Sequence, residues 1–171
     1  MSRHCPVTAP PRTSSKGRGS KPVSSRCTGL FSDHIVVIGG APPPVVAVGG
    51  IAVVDGELLM VERATPPAAG CWTIPGGRVE PGESVRTAVE RELLEETALA
   101  VSCGSLVGWA ERLGGGYHFV ILDFAVTLTG GRTPSAGGDA AAVAWVPLTE
   151  VTGLSLVDGL EEFLVDHGVL G

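Results

Sequence analysis

Cysteine is scarce and scattered: Cys5, Cys27, Cys71 and Cys103 form no CxxC pair, and no histidine stands at metal-ligand spacing from them. That excludes a zinc site built on paired thiolates and a disulfide framework, and it fits the reduced thiols of a cytoplasmic protein. Charge is sparse too, at 18% of residues. A secretory signal is also missing. The first thirty residues have no apolar core; they are rich in Ser, Arg and Pro and poor in acids. They read as a disordered tail, a mis-assigned start or a transit peptide, with the first two favoured. Ile35 to Val54 does run uncharged for long enough to cross a bilayer. Yet Gly39-Gly40, Pro42-Pro43-Pro44 and Gly49-Gly50 would break a spanning helix and free backbone groups in lipid. The run is a linker entering a buried strand, and no membrane segment is expected.

What is present suits one globular domain: 171 residues, 44% of them apolar. The net charge of -6 is unevenly placed. Residues 1–44 carry six basic side chains against the single acid Asp33, or +5; the remaining six basic and seventeen acidic residues leave 45–171 at -11. A body this acidic disfavours nucleic acid polymers as partners, unless cations neutralise the acids where a phosphate sits.

The boundary falls at Pro42–Pro44. Val45 to Val54 is β-branched and apolar, a strand buried on both faces. Asp55-Gly56 is a two-residue hairpin signal, returning through Glu57–Arg63. After the loop Thr65–Gly70 comes a short extended piece, Trp72–Pro75. A helix is predicted from about Glu83 to Thr97, with acids in its first turn. Strands are predicted at Ser105–Glu111, Tyr117–Thr127 and Val143–Leu148, and a terminal helix at Val157–His167. Gly114–Gly116 and Gly130–Gly138 are loops. The whole is an α/β layered domain over 45–171.

One segment carries chemistry. Gly77-Arg-Val-Glu-Pro-Gly-Glu83 is followed, seven residues on, by Arg91-Glu92-Leu93-Leu94-Glu95-Glu96. At 100° per residue, Glu92, Glu95 and Glu96 share an arc of roughly 100° on the helix. Three clustered anions repel unless a divalent cation sits among them, and oxygen-only ligands favour magnesium or manganese over zinc. Glu83 and Arg91 lie about two turns apart, so helix spacing alone does not pair them. If Glu83 belongs to the preceding turn, Arg91 reaches it or orients a neighbouring glutamate. The bland alternative is a solvated acidic helix face. Against it, Ser84–Thr97 has no lysine and ends on Glu95-Glu96, which opposes the helix dipole. A local rule broken at a stability cost points to a functional site.

The run from Gly77 to Leu99 resembles the Nudix box, a loop-helix-loop pattern with six fixed charged or glycine positions. Chance agreement at all six is on the order of one in ten million per register. Trp72-Thr-Ile-Pro-Gly-Gly77 resembles the strand-and-loop entry of the same family. One position departs: Ala98 stands where the family has a glycine. That glycine usually ends the helix in a left-handed conformation, which costs alanine roughly 1 kcal/mol.

The resemblance implies an α/β/α sandwich with a mixed central sheet. It also implies metal binding by Glu92, Glu95 and Glu96 together with the backbone carbonyl of Gly77. The expected reaction is Mg²⁺-dependent cleavage of a diphosphate linkage, with Mn²⁺ as the alternative cation. Glu96 is the expected aid to water deprotonation, with Glu95 and Arg91 completing the catalytic set. Nudix enzymes also recruit a base from a later loop; Asp139 is the candidate, flanked by Ala140–Ala142, and Glu111 is a further one.

For the substrate, Arg63 at a strand end suits a phosphate contact, although an exposed strand-end arginine is an equal reading. Trp72 suits base stacking, but core packing is the commoner use of a tryptophan there. Tyr117 resembles a marker of dinucleoside polyphosphate enzymes, and His118 reads as strand surface. The style of Trp72–Gly77 and Tyr117–Phe124 resembles bacterial proteins assigned to ADP-ribose, although Gly114–Gly116 stand where that type often has a proline. An ADP-ribose-like nucleoside diphosphate derivative therefore ranks first, and a (d)NTP or dinucleoside polyphosphate second. A nucleotide sensor without catalysis is the competing class, disfavoured by the full carboxylate set. Family members are often homodimers, so a homodimer is expected.

Overall fold

The computed structural model describes residues 43–66, 68–114 and 116–171. The basic tail expected over 1–44 lies, but for its last two residues, outside them. The elements are β1 (Val45–Ile51), β2 (Val53–Val54), β3 (Glu57–Arg63), β4 (Trp72–Thr73), β5 (Gly76–Arg78), α1 (Val85–Thr97), β6 (Val101–Gly114), β7 (Tyr117–Leu128), β8 (Ala140–Pro147), a 3-10 turn at Val151–Gly153 and α2 (Leu160–Asp166). Among the described residues no helix is long and apolar enough to cross a membrane.

The strand expected as one piece over Val45–Val54 breaks at the buried Ala52 and serves two sheets. β1 belongs to a mixed sheet of order β5-β1-β7-β6, in which β1 and β7 run parallel. β2 pairs with β3, which also pairs with β4 and β8, all antiparallel. The Ala52 carbonyl accepts the Leu59 N–H at 3.0 Å, which fixes the crossing point. Asp55 and Gly56 both take positive φ, 52° and 79°, as a tight two-residue hairpin demands.

Side-chain alternation sorts the core into two layers. Val48, Ala52, Leu59 and Phe124 point to one side and pack on Ala88, Val89 and Leu93 of α1. Ile51, Leu58, Met60 and Val146 point to the other and pack on Leu160, Phe163 and Leu164 of α2. The result is the expected α/β/α sandwich, with its central layer divided between a mixed and an antiparallel sheet.

Several boundaries shift for identifiable reasons. α1 begins at Val85, because Ser84 has extended backbone and its hydroxyl caps the Thr87 N–H at 3.2 Å. The expected acids of the first turn are therefore not in the helix; Glu83 lies ahead of the cap. β6 is longer than the predicted Ser105–Glu111, extending past register shifts at Cys103/Leu106 and Leu106/Gly108. α2 is shorter than Val157–His167: Gly159 takes φ 74°, and Val157 N–H is drawn to Trp72 O at 3.0 Å.

The loop Gly130–Gly138 closes the exposed end of α1. Ser135 and Gly137 donate to the carbonyls of Thr97 (2.9 Å) and Glu96 (3.1 Å), which have no partner within the helix. Arg132 pegs this loop down: it pairs with Asp55 at 2.7 Å and with Glu57, and lies 5.0 Å above the Trp145 ring. Ala98 adopts the left-handed conformation, φ 57° and ψ 17°, and its N–H closes on Leu94 O at 3.0 Å. The helix end thus keeps the geometry a glycine would give it.

Candidate active site

Arg91 organises the carboxylates of α1. Because Glu83 sits in the turn before the cap, its carboxylate faces back along the helix and takes two bonds from Arg91, at 2.6 and 3.2 Å. The same guanidinium donates to Glu92 (2.9 Å), Glu95 (3.2 Å) and the carbonyl of Arg78 (3.0 Å). One fork thereby ties the helix to the turn before it and to β5. The hydrogen bond from Arg91, helped by one from the Glu80 N–H, holds Glu83 below the usual carboxylate range. The same pairing with Glu83 raises the Arg91 pKa further.

Glu96 turns the other way and accepts the Gly76 N–H at 2.9 Å. Its pKa is pushed up to about 7, chiefly by burial, with the charges of Glu92 and Asp139 adding and the Gly76 N–H and Arg63 opposing. Glu92, whose side chain is 14% exposed, is raised as well, again mainly by desolvation, whereas Glu95 is 55% exposed. Gly77 passes so close to Glu92 that a Cβ there would overlap its carboxylate. A side chain at position 77 would push the Glu92 carboxylate away from the backbone of β5.

Of the other predicted residues, Arg63 and Asp139 are brought into the electrostatic field of Glu96. The bulge at Glu62/Arg63, with Ala64 N–H on Asp139 O at 3.0 Å, places the end of β3 beside the start of β8. Glu111 is not brought in: it lies on β6, at the opposite edge of the mixed sheet from β5, and pairs with His118 at 2.7 Å. Tyr117 packs on Phe119 (5.8 Å between rings), which also carries Arg78 at 5.5 Å. Trp72 is half-buried against the α2-side core.

One acid escaped sequence reasoning. Asp123 lies in β7 with 5% exposure, and its Oδ1 has no hydrogen-bond partner among the described residues. It faces the α2 side, in a cavity of about 80 Å³ that Thr73, Ile74, Ala110 and Ile121 help to line. Burial pushes its pKa up to about 6, with Arg112 and His167 opposing. The signal available in the sequence was an acid inside the otherwise apolar run Val120–Val126.

Among the described residues, no three His, Cys, Asp or Glu side chains converge at metal-holding geometry. The like-charged groups separate toward Arg91 and the Gly76 N–H. The set nonetheless fits a divalent cation. Its donors are all oxygens, the Gly77 backbone leaves a cradle beside Glu92 that a Cβ would fill, and Glu92 and Glu96 are both desolvated and raised by neighbouring negative charge.

Fold and site together define an α/β/α sandwich that carries a cluster of carboxylates on its loop-helix segment. The NUDIX domain family model matches residues 43–165, and the chain belongs to that family. It is 37% identical over 115 residues to the ADP-ribose pyrophosphatase of Methanocaldococcus jannaschii, a match covering 66% of this chain and 67% of that one. It is 33% identical over 98 residues to the human 8-oxo-dGDP phosphatase NUDT18, covering 56% of this chain but 29% of that protein. Among solved structures, a MutT NUDIX hydrolase from Burkholderia pseudomallei superposes with a TM-score of 0.66 at 29% identity, covering 72% of this chain and 98% of that one.

Proposed function

We propose that the chain is a Mg²⁺-dependent pyrophosphohydrolase that cleaves the diphosphate linkage of a nucleoside diphosphate derivative, with ADP-ribose the favoured substrate. One observation carries the reading: the Arg91 fork sets Glu92 against Gly77, while Glu96 is held on Gly76. Glu92, Glu95, Glu96 and the Gly77 carbonyl would hold the cation. When bound, Mg²⁺ neutralises charge on the phosphate oxygens and acidifies the attacking water. Glu96, held by the Gly76 N–H at 2.9 Å, is the carboxylate that takes the proton from that water. Asp139 is the neighbouring acid on the loop, and Arg63 offers its guanidinium to a phosphate. Water adds to one phosphorus and the bridging P–O bond breaks, so ADP-ribose yields AMP and ribose 5-phosphate.

The name of the Methanocaldococcus relative supports ADP-ribose. The name of the human relative favours a second reading, an oxidised guanine nucleotide. A substrate panel with Mg²⁺ and products identified by mass tests both. AMP from ADP-ribose supports the first; a nucleoside monophosphate from 8-oxo-dGDP, or pyrophosphate from a triphosphate, supports the second. Cytoplasmic location and a homodimer belong to the same reading, resting on the scattered thiols and the family resemblance; sizing the chain in solution tests the dimer.

A further inference from the structure

We propose that Arg132 is a positioning residue for the reaction, holding the loop Gly130–Gly138 so that Asp139 stays beside Glu96. The inference rests on the hydrolase reading, in which Asp139 is the acid carried by that loop, and adds what keeps the acid in place. The loop has four glycines in nine residues, so its sequence prefers no single conformation. Its shape must come from outside contacts, and Arg132 supplies those of its first half. The guanidinium donates to Asp55 at 2.7 Å, to Glu57 and to the Val54 carbonyl at 3.3 Å, while lying 5.0 Å above the Trp145 ring. The main chain of the same residue is held too, its carbonyl accepting Trp145 Nε1–H at 2.8 Å. One residue thus joins the loop to the β2–β3 hairpin through its side chain and to β8 through its backbone.

The second half of the loop lies on the carboxylate end of α1. Ser135 and Gly137 donate to Thr97 O and Glu96 O at 2.9 and 3.1 Å. A Cβ on Gly137 would overlap the Glu95 carbonyl, and one on Gly138 would stand 3.8 Å from Glu96 Cγ. Asp139 follows directly, its carbonyl fixed by the Ala64 N–H at 3.0 Å and its charge felt at Glu96. Only Thr133 and Pro134 separate Arg132 from Ser135, and proline fixes its own φ, so a shift of Arg132 is carried into the helix contact. Stability is a poor reason for this arrangement. The Arg132 side chain is 37% exposed and that of Asp55 78%, a setting in which ion pairs contribute little to folding. The planar fork instead fixes direction, since it reaches two carboxylates and a carbonyl from one orientation over an aromatic ring.

The test is a double-mutant cycle on the full chain with Arg132→Met, which keeps the stem over Trp145, and Asp139→Asn. It is read by steady-state hydrolysis with Mg²⁺ of ADP-ribose, or of 8-oxo-dGDP where only that is cleaved. Arg132→Met should lower kcat about tenfold or more and leave KM within about twofold. Its Tm should fall by no more than about 4 °C, and Arg132→Lys should regain part of the turnover. On the Asp139→Asn background the same substitution should cost less than about twofold, because its effect runs through Asp139. Amide hydrogen exchange should quicken at Ser135 and Gly137 in Arg132→Met and stay unchanged at Leu59, which does not touch the loop. Unchanged kcat in Arg132→Met, an equal loss on the Asp139→Asn background, normal turnover in Asp139→Asn, or unchanged exchange at Ser135 and Gly137 would each overturn the role. With an active wild type those results remove Arg132 alone; a wild type inactive on both nucleotides removes the hydrolase reading and the role in turnover with it.

Discussion

A cluster of acids and a single buried acid lie on opposite faces of the central layer, and they are treated differently. On the α1 face, Glu83, Glu92 and Glu95 share Arg91, and Glu96 has a backbone N–H. On the α2 face, Asp123 keeps an unpaired oxygen in an apolar cavity. Desolvation raises Glu92, Glu96 and Asp123 alike, but only the α1 group is held in a fork of opposite charge. Clustered acids with an organising arginine make a centre for a cation and a proton. The two faces of the sheet thus treat a desolvated acid differently: one surrounds it with partners, the other leaves it an unpaired oxygen.

If that division holds, the largest effect belongs to the α1 face. Glu96→Gln and Glu95→Gln should each lower kcat by about 10²–10⁴ with the fold intact; near-normal turnover in both would remove the proposed centre. Next comes Arg91→Lys, which keeps the charge but cannot span Glu83, Glu92 and the Arg78 carbonyl together. A fall of about 10–100-fold in kcat/KM, with weaker Mg²⁺ dependence, is expected from steady-state assays.

On the α2 face the readout is stability against pH. The folded pKa of Asp123 is raised from 3.8 to about 6. Any stability it contributes is therefore fully present below the unfolded value and lost as pH rises through about 6. Asp123→Asn removes that loss, so its stability relative to wild type should improve by about 2 kcal/mol between pH 4 and pH 8, measured by denaturant unfolding. The smallest effect lies outside both sites. Ala98→Gly should stabilise the chain by about 0.5–1 kcal/mol, because Ala98 holds a left-handed φ of 57°.

The comparison also explains what was legible in the sequence. Glu92, Glu95 and Glu96 could be read together because helix periodicity converts spacing into a shared face. Asp139 and Arg63 were found as single candidates, but their meeting at Glu96 depends on β3–β8 register and a bulge, which spacing does not encode. Glu111 was named on the same footing, and the sheet order carries it to the far edge. Asp123 went unread because its burial is set by the neighbouring strands and by the α2 side chains above it. Among the elements, strongly patterned β3 and the Asp55-Gly56 turn were placed to the residue. β1 was not split, because the switch of sheets at Ala52 leaves no mark in an unbroken apolar run. The last helix was overextended, since Val157 suits a helical pattern but gives its N–H to Trp72.

The most direct measurement is hydrolysis of ADP-ribose by wild type and Glu96→Gln, with Mg²⁺ and with the metal chelated. The α1-face account predicts AMP and ribose 5-phosphate from the wild type with Mg²⁺ alone, and a loss of at least about a hundredfold in the variant. Cleavage that survives chelation, or that proceeds at the wild-type rate in Glu96→Gln, would contradict it.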